Sequence, residues 1–275
     1  MEASILMYHA IVDRHEPYMA AVHVEGQRFA EQMAWLAASG HRVLPLAQVL
    51  AALRQPGRRR DKQPLVALTF DDGYRSLYTY ARPILEQYGF AATLFLTTST
   101  VGQPSYARLP EFGRSAPYGD PPLTWAELHG LAASGWNIES HGCTHRALDS
   151  LSTSQLMAEL RQSRTTIARQ LGREPAFYAY PYGSYDRRAL PALALTGYQA
   201  GFAVHTGLAT PGSDHRRLPR VEVTASCDLA TFQQKVATGY ASRAEQRRAR
   251  LRDLVYRVPL VKDAVQRLIG SKQPK

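Results

Sequence analysis

Cysteine is nearly absent from this chain of 275 residues: Cys143 and Cys227 stand alone, too few for a disulfide framework. Apolar runs of membrane-spanning length are also missing, so no transmembrane helix is expected. The chain opens Met1-Glu2-Ala3-Ser4 and passes straight into a first apolar segment, without a basic region followed by a long apolar stretch. The compartment expected from that opening is the cytoplasm, with its membrane face as a variant. No internal repeat is visible beyond an alternation of helical and extended patterns. At 45% hydrophobic and 20% charged residues the balance is that of an ordinary globular protein, which excludes a disordered chain, and the length is ample for a core.

Charge is present in excess but in one place. Of the net +10, seven charges arise from Ala241 onward, where Arg243, Arg247, Arg248, Arg250, Arg252, Arg257, Lys262, Arg267, Lys272 and Lys275 face only Glu245, Asp253 and Asp263. Leu251, Leu254, Val255, Val258, Val261, Val265 and Leu268 keep helical spacing there, with Pro259 expected to break the segment into two helices. Two readings stay open: peripheral attachment to an anionic membrane surface, or a terminal helix packed on the body with its basic face in water. Nucleic acid is not an expected partner, because no recognition motif accompanies the charge. The remainder, 1–240, is expected to be one catalytic domain and 241–275 a basic helical tail.

Two motifs carry the chemistry. Leu65-Val66-Ala67-Leu68-Thr69-Phe70 is a short apolar run bounded by Pro64 and Gly73, the pattern of a strand buried on both faces, and it ends in Asp71-Asp72. In an extended segment the two carboxylates are expected to point to opposite faces and so to take different tasks. Further on, Trp136-Asn137-Ile138-Glu139-Ser140 reads as a second strand that delivers His141 and His145 at its end. Two imidazoles and a carboxylate make an open ligand set for zinc or a similar divalent ion. Such an ion acidifies water and polarises a carbonyl, and a spare carboxylate can serve as base; metal-assisted acyl hydrolysis is the implied class. Taken singly each motif has a plainer explanation, since Asp-Asp-Gly suits a simple turn and histidine pairs at this spacing arise by chance. Their joint placement at two strand ends favours the site.

The chain resembles the polysaccharide deacetylases of carbohydrate esterase family 4, which share the nodulation-protein deacetylase homology domain, over roughly Met1 to Tyr240. By that resemblance Asp71 in Thr69-Phe70-Asp71-Asp72-Gly73 is the catalytic base, and Asp72, His141 and His145 hold the metal, with zinc expected and cobalt or nickel as alternatives. Phe177-Tyr178-Ala179-Tyr180-Pro181-Tyr182-Gly183 stands at the place of the family's third motif. There Tyr182 is expected to offer a backbone N–H to the oxyanion, and Pro181 and Tyr182 to contact substrate. The family's motif-three arginine falls at Ala179, and Arg220 in Leu218-Pro219-Arg220-Val221-Glu222-Val223 is the candidate replacement. The motif carrying the general-acid histidine is not visible; His205 and His215 lie in the right part of the chain without its context.

Ile5-Leu6-Met7-Tyr8-His9-Ala10-Ile11, a helix over Phe29 to Trp35 and the Ala-Tyr-Pro-Tyr-Gly form of motif three are similar to the branch acting on poly-β-1,6-N-acetylglucosamine. His9 is a candidate substrate contact. The resemblance implies a glycan substrate and an α/β fold, a distorted (β/α) barrel of about seven strand-helix units. Because that branch is habitually secreted, the cytoplasmic expectation implies a cytoplasmic or lipid-linked precursor as substrate, or a missing leader. The alternatives are deacylation of an O-acetylated glycan or a formylated sugar lipid, and a non-catalytic glycan-binding module, which the two absent motifs favour.

Periodicity places helices over Phe29 to Ser39, Pro45 to Leu53 and Ser76 to Tyr88, and a strand over Ala91 to Leu96. Capping boxes at Thr124-x-x-Glu127 and Ser152-x-x-Gln155 open two more helices. Gln55 to Pro64, with Arg58-Arg59-Arg60, reads as a solvated loop. Thr97 to Pro122 has no period; its Tyr106, Phe112 and Tyr118 could stack on sugar rings or simply anchor the loop. Cys143, between the two histidines, is read as a spacer.

Overall fold

The computed structural model describes residues 2–14, 20–55, 63–106, 112 and 119–256, with side chains to 249. Arg58-Arg59-Arg60, Tyr118 and the predicted second tail helix beyond Pro259 fall outside the described residues.

One parallel sheet organises the chain. Its order is β10 (Val221–Glu222), β1 (Ala3–Tyr8), β5 (Leu65–Asp72), β6 (Ala92–Leu96), β7 (Asn137–Ser140), β8 (Phe177–Ala179) and β9 (Ala200–Phe202). A short β4 (Arg42–Val43) pairs with the start of β5, and β2 (Ile11–Val12) with β3 (Val24–Glu25) forms a separate two-stranded piece. Every residue of β1 and β5 is buried, which accounts for apolar runs without alternation: helices cover one face and the barrel interior the other.

The sheet curls into a barrel. Leu6, Tyr8, Leu68 and Phe70 pack outward with α1 (Gly26–Ala38), α3 (Arg82–Tyr88) and α4 (Trp125–Ala133), whereas Ile5, Ala67, Phe95 and Phe202 belong to a second cluster inside. The rings of Phe95 on β6 and Phe202 on β9 meet at 5.3 Å although two strands separate them in the sheet. Closure falls to the segment before β10. Leu218 exchanges backbone hydrogen bonds with Gly201 and Ala203 beside β9, and three residues later Val221 pairs with Leu6 on β1. Arg220 lies between those two seams.

Local signals hold where they are local. The helices predicted after Thr124 and Ser152 are α4 and α5 (Thr153–Leu171), each with a reciprocal capping box. The predicted helix over Ser76 to Tyr88 opens as a π turn, Leu77–Ala81, before α3. The helices α2 (Leu46–Arg54), α6 (Ala189–Leu195) and α7 (Leu229–Thr238) complete the body, and α8 (Arg243–Tyr256) begins the tail. Among the described residues no helix is long and apolar enough to cross a membrane.

The aperiodic stretch after β6 is sewn to the barrel rather than left as a platform. Thr98 and Ser99 donate backbone N–H groups to the carbonyls of Gly142 and Cys143, and Ser76 N–H donates to Asp120 Oδ1 at 2.9 Å. Tyr106 and Phe112 are buried, with ring contacts to each other at 4.7 Å and from Tyr106 to Tyr74 at 4.6 Å, so these two anchor the loop. Burial pushes the Asp120 carboxyl up to about 6 against the hydrogen bonds from Ser76. In the unfolded chain an Asp titrates near 3.9, so between about pH 4 and 6 the folded protein binds the extra proton and stability falls as pH rises. The accumulated loss is about 3 kcal/mol by neutrality. Asp120→Asn removes it while keeping an acceptor for Ser76. Thermal melts are expected to show the variant gaining on the parent between about pH 4.5 and 7.5; a constant difference would contradict this assignment.

Candidate active site

The ends of β5 and β7 and the turn after β8 meet at one end of the barrel around a pocket of about 330 Å³. Asp71, Asp72, His141, His145, His9 and Tyr182 all line it. The expected opposition of the two aspartates does not hold, because both face this pocket. The cause is local: Asp72 adopts φ 74, so the chain leaves extended geometry at the second carboxylate. Asp72, His145 (φ 63) and Tyr182 (φ 58) are the non-glycine residues with positive φ among those described, and all three line the pocket. Backbone strain of this kind persists where surrounding contacts impose it.

Asp71 and Asp72 nonetheless have different partners. Arg220 grips Asp71 through a two-pronged bridge, Nη1 to Oδ1 at 2.6 Å and Nη2 to Oδ2 at 2.7 Å. The guanidinium is fully buried and does not open onto the pocket, so Arg220 meets Asp71 from behind, as expected of a replacement for the arginine missing at Ala179, and is a positioning residue rather than a catalytic one. Burial alone would push the Asp71 carboxyl up; Arg220, assisted by His141 and His9, holds it below the usual carboxylate range.

Asp72 Oδ1 lies 3.1 Å from His145 Nε2 and 3.6 Å from His141 Nε2. The ligand atoms of Asp72, His141 and His145 all fall within 4.8 Å of one another. Both imidazoles are held from behind, one by the last residue of β8 and the other by the turn that follows it. His141 Nδ1 lies 2.9 Å from the Ala179 carbonyl, which can only accept, and His145 Nδ1 lies 3.2 Å from the Tyr182 hydroxyl. The two Nε2 atoms are thereby left facing Asp72. Burial pushes His141 down to about 4, keeping it neutral as a ligand must be. The donor set fits a divalent cation with open positions. Phe112 stacks on His145 at 4.5 Å, and Glu159 of α5 takes the N–H and hydroxyl of Thr144, fixing the loop between the two histidines.

Other expected residues fall elsewhere. Pro181, expected to contact substrate, is buried at the start of the turn and is not among the residues that line the pocket. His205 shares a hydrogen bond with Tyr185 at 2.7 Å on the surface, and neither His205 nor His215 lines the pocket. Cys143 also lies off it, with its thiol pushed up by burial, which suits a spacer. Sequence reasoning missed His23, Tyr74, Tyr180 and Glu222 on the pocket wall. Glu222 alone carried a local signal, standing two positions after Arg220 in a strand.

A parallel barrel with two carboxylates and two imidazoles gathered at its strand ends defines a metal-dependent hydrolase. A family model described as polysaccharide deacetylase matches residues 58–201, and the chain belongs to that family. It is 28% identical over 228 residues to YxkH of Bacillus subtilis (strain 168), provisionally named a polysaccharide deacetylase, covering 83% of this chain and 74% of that protein. It is 27% identical to the poly-beta-1,6-N-acetyl-D-glucosamine N-deacetylase of Staphylococcus epidermidis, over 73% of this chain and 68% of that one. Among solved structures, the Streptococcus pyogenes deacetylase PplD in complex with acetate superposes with TM-score 0.73 at 26% identity, over 86% of this chain and 98% of that chain.

Replacing Arg220 by methionine leaves Asp71 as a buried carboxylate without its cation. The expected cost is about 3–5 kcal/mol, read as a lowered denaturant midpoint. Arg220→Lys is expected to restore only part of it, because an ammonium lacks the planar fork. A full recovery with lysine would show that charge alone matters.

Proposed function

We propose that this protein is a divalent-metal-dependent deacetylase that removes N-acetyl groups from an N-acetylhexosamine-containing polysaccharide or its precursor. Membership of the family and the deacetylase names of the relatives support the reaction class. The observation that carries the proposal is the division of labour at the end of β5: one carboxylate gripped by a guanidinium, the next facing two bare imidazole nitrogens.

In this reading Asp72, His141 and His145 would hold the ion, zinc in first place, which when bound would supply polarisation of the acetyl carbonyl and acidification of water. Asp71 takes the water proton. Its ionisation below the usual range, maintained by Arg220, keeps it ready at neutral pH. The backbone N–H of Tyr182, on a turn with φ 58, is assigned to the oxyanion. His9 is assigned the proton for the departing amine, since it lines the pocket with a buried Nδ1 that has no hydrogen-bond partner among the described residues. Acetate, the ligand of the Streptococcus pyogenes neighbour, is the product this chemistry requires. The body to residue 240 carries all these groups, and the tail from 241 carries none, which supports its reading as a separate appendage.

A purely glycan-binding module is disfavoured, having no use for a buried carboxylate with a dedicated guanidinium. Acetate release from a panel of N-acetylglucosamine oligomers by zinc- or cobalt-loaded protein tests the proposal. Asp71→Asn is expected to lower kcat by at least roughly 100-fold, the usual scale for losing a general base. Absence of release from every glycan would overturn the deacetylase reading, and undiminished turnover in the variant would overturn the role of Asp71.

A further inference from the structure

A second cavity, of about 440 Å³, lies beside the catalytic pocket and takes no part in the chemistry above. Two stretches of chain run from one to the other. His9 lines the catalytic pocket and Val12 to Arg14 line the second cavity, a reach of about 10 Å along extended chain. Tyr74 lines the first and Arg75 the second. The two stretches are tied together where Ile11 N–H donates to Ser76 Oγ at 3.2 Å.

The walls have the chemistry that recognises a sugar. A pyranose presents an apolar C–H face and a belt of hydroxyls, and is held by an aromatic ring together with fixed hydrogen-bonding groups. Tyr80 is 42% exposed, one of few large apolar side chains in that state, and it lies on the cavity wall. The π turn Leu77–Ala81 carries Tyr80 together with Thr79, which also lines the cavity. Such turns are rare and concentrate at functional sites. Opposite them Asp120 gives Oδ1 to Ser76, while its Oδ2 is buried without a hydrogen-bond partner among the described residues. A buried acceptor left unmade is costly, and a ligand hydroxyl would satisfy it. Arg75 is committed to Glu127 at 2.6 Å, so its charge is already balanced and does not mark an anion site.

We propose that this cavity, with Tyr80, Thr79 and Asp120 as its contacts, is a distal glycan subsite that holds a pyranose unit beyond the immediate neighbour of the one whose N-acetyl group lies in the catalytic pocket. The proposal rests on the deacetylase reading and adds to it a preference for chain length. Short substrates fill the catalytic pocket alone, and longer ones gain the second contact.

The test is acetate-release kinetics on oligosaccharides of the best substrate from the panel, from disaccharide to hexasaccharide, with metal-loaded full-length protein. The parent is expected to show KM falling with length. Tyr80→Ala, at an exposed position that leaves the core intact, is expected to raise KM for the longer chains roughly tenfold, the equivalent of one good contact. Its kcat, and its KM for the disaccharide, are expected to stay unchanged. Asp120→Asn, which keeps the acceptor for Ser76, should move KM in the same direction for long chains only. An effect equal at every length, or none at any length, overturns the subsite while leaving the deacetylase standing. If the parent releases no acetate from any chain, the deacetylase reading falls and the subsite with it.

Discussion

The bridge between Arg220 and Asp71 joins two features of this molecule, a closed barrel and an ionised carboxylate at its mouth. Arg220 stands on the segment that touches β9 through Leu218 and β1 through Val221, so the residue that completes the cylinder also reaches into it. Two buried charges cost more in desolvation than most pairs recover. The cost is offset here by a two-pronged geometry at 2.6 and 2.7 Å, and by the Phe95 ring 5.3 Å below the guanidinium. A carboxylate so held stays ionised to lower pH than a free one, and its orientation is set from behind.

Around that fixed point the metal-binding face is built by constraint from outside. Three residues bend into the left-handed region, and each is restrained by a neighbouring element. Asp72 is restrained by its pairing with Leu96 on β6, His145 by Phe112 and Tyr182, and Tyr182 by the turn that begins where Tyr180 N–H meets Phe202 O. The end of β8 at Ala179 and the turn after it at Tyr182 hold the two imidazoles by their far nitrogens, so one short segment decides which atoms a cation would meet. Partners of this kind behind the ligands set their tautomer and orientation.

The sequence made legible what short-range order governs. The apolar run ending at Asp71, the second strand ending at His141 and the two capping boxes appear where spacing placed them, because each depends on residues a few positions apart. What depended on long-range pairing was harder to see. His23 and Glu222 reach the pocket only because β3 follows β2 and β10 lies against β1. The opposed aspartates failed through a single dihedral that no pattern of apolar residues encodes. For Tyr106 and Phe112 the choice between stacking on sugar and anchoring the loop stayed open in the sequence, for want of the Tyr74 and His145 rings they pack against. Arg220 was reachable by a different route: a family position empty at Ala179 required a cation from elsewhere, and few arginines stand inside an apolar strand.

In the proposed function two adjacent carboxylates, facing one pocket, divide the work between proton transfer and metal binding. Metal titration of Asp71→Asn and Asp72→Asn side by side tests it most directly, with folding of each checked by thermal melt. The account predicts that Asp71→Asn still binds one divalent ion per chain with affinity near the parent's, and that Asp72→Asn loses at least roughly tenfold in affinity. Equal loss in both, or loss confined to Asp71→Asn, would contradict the division.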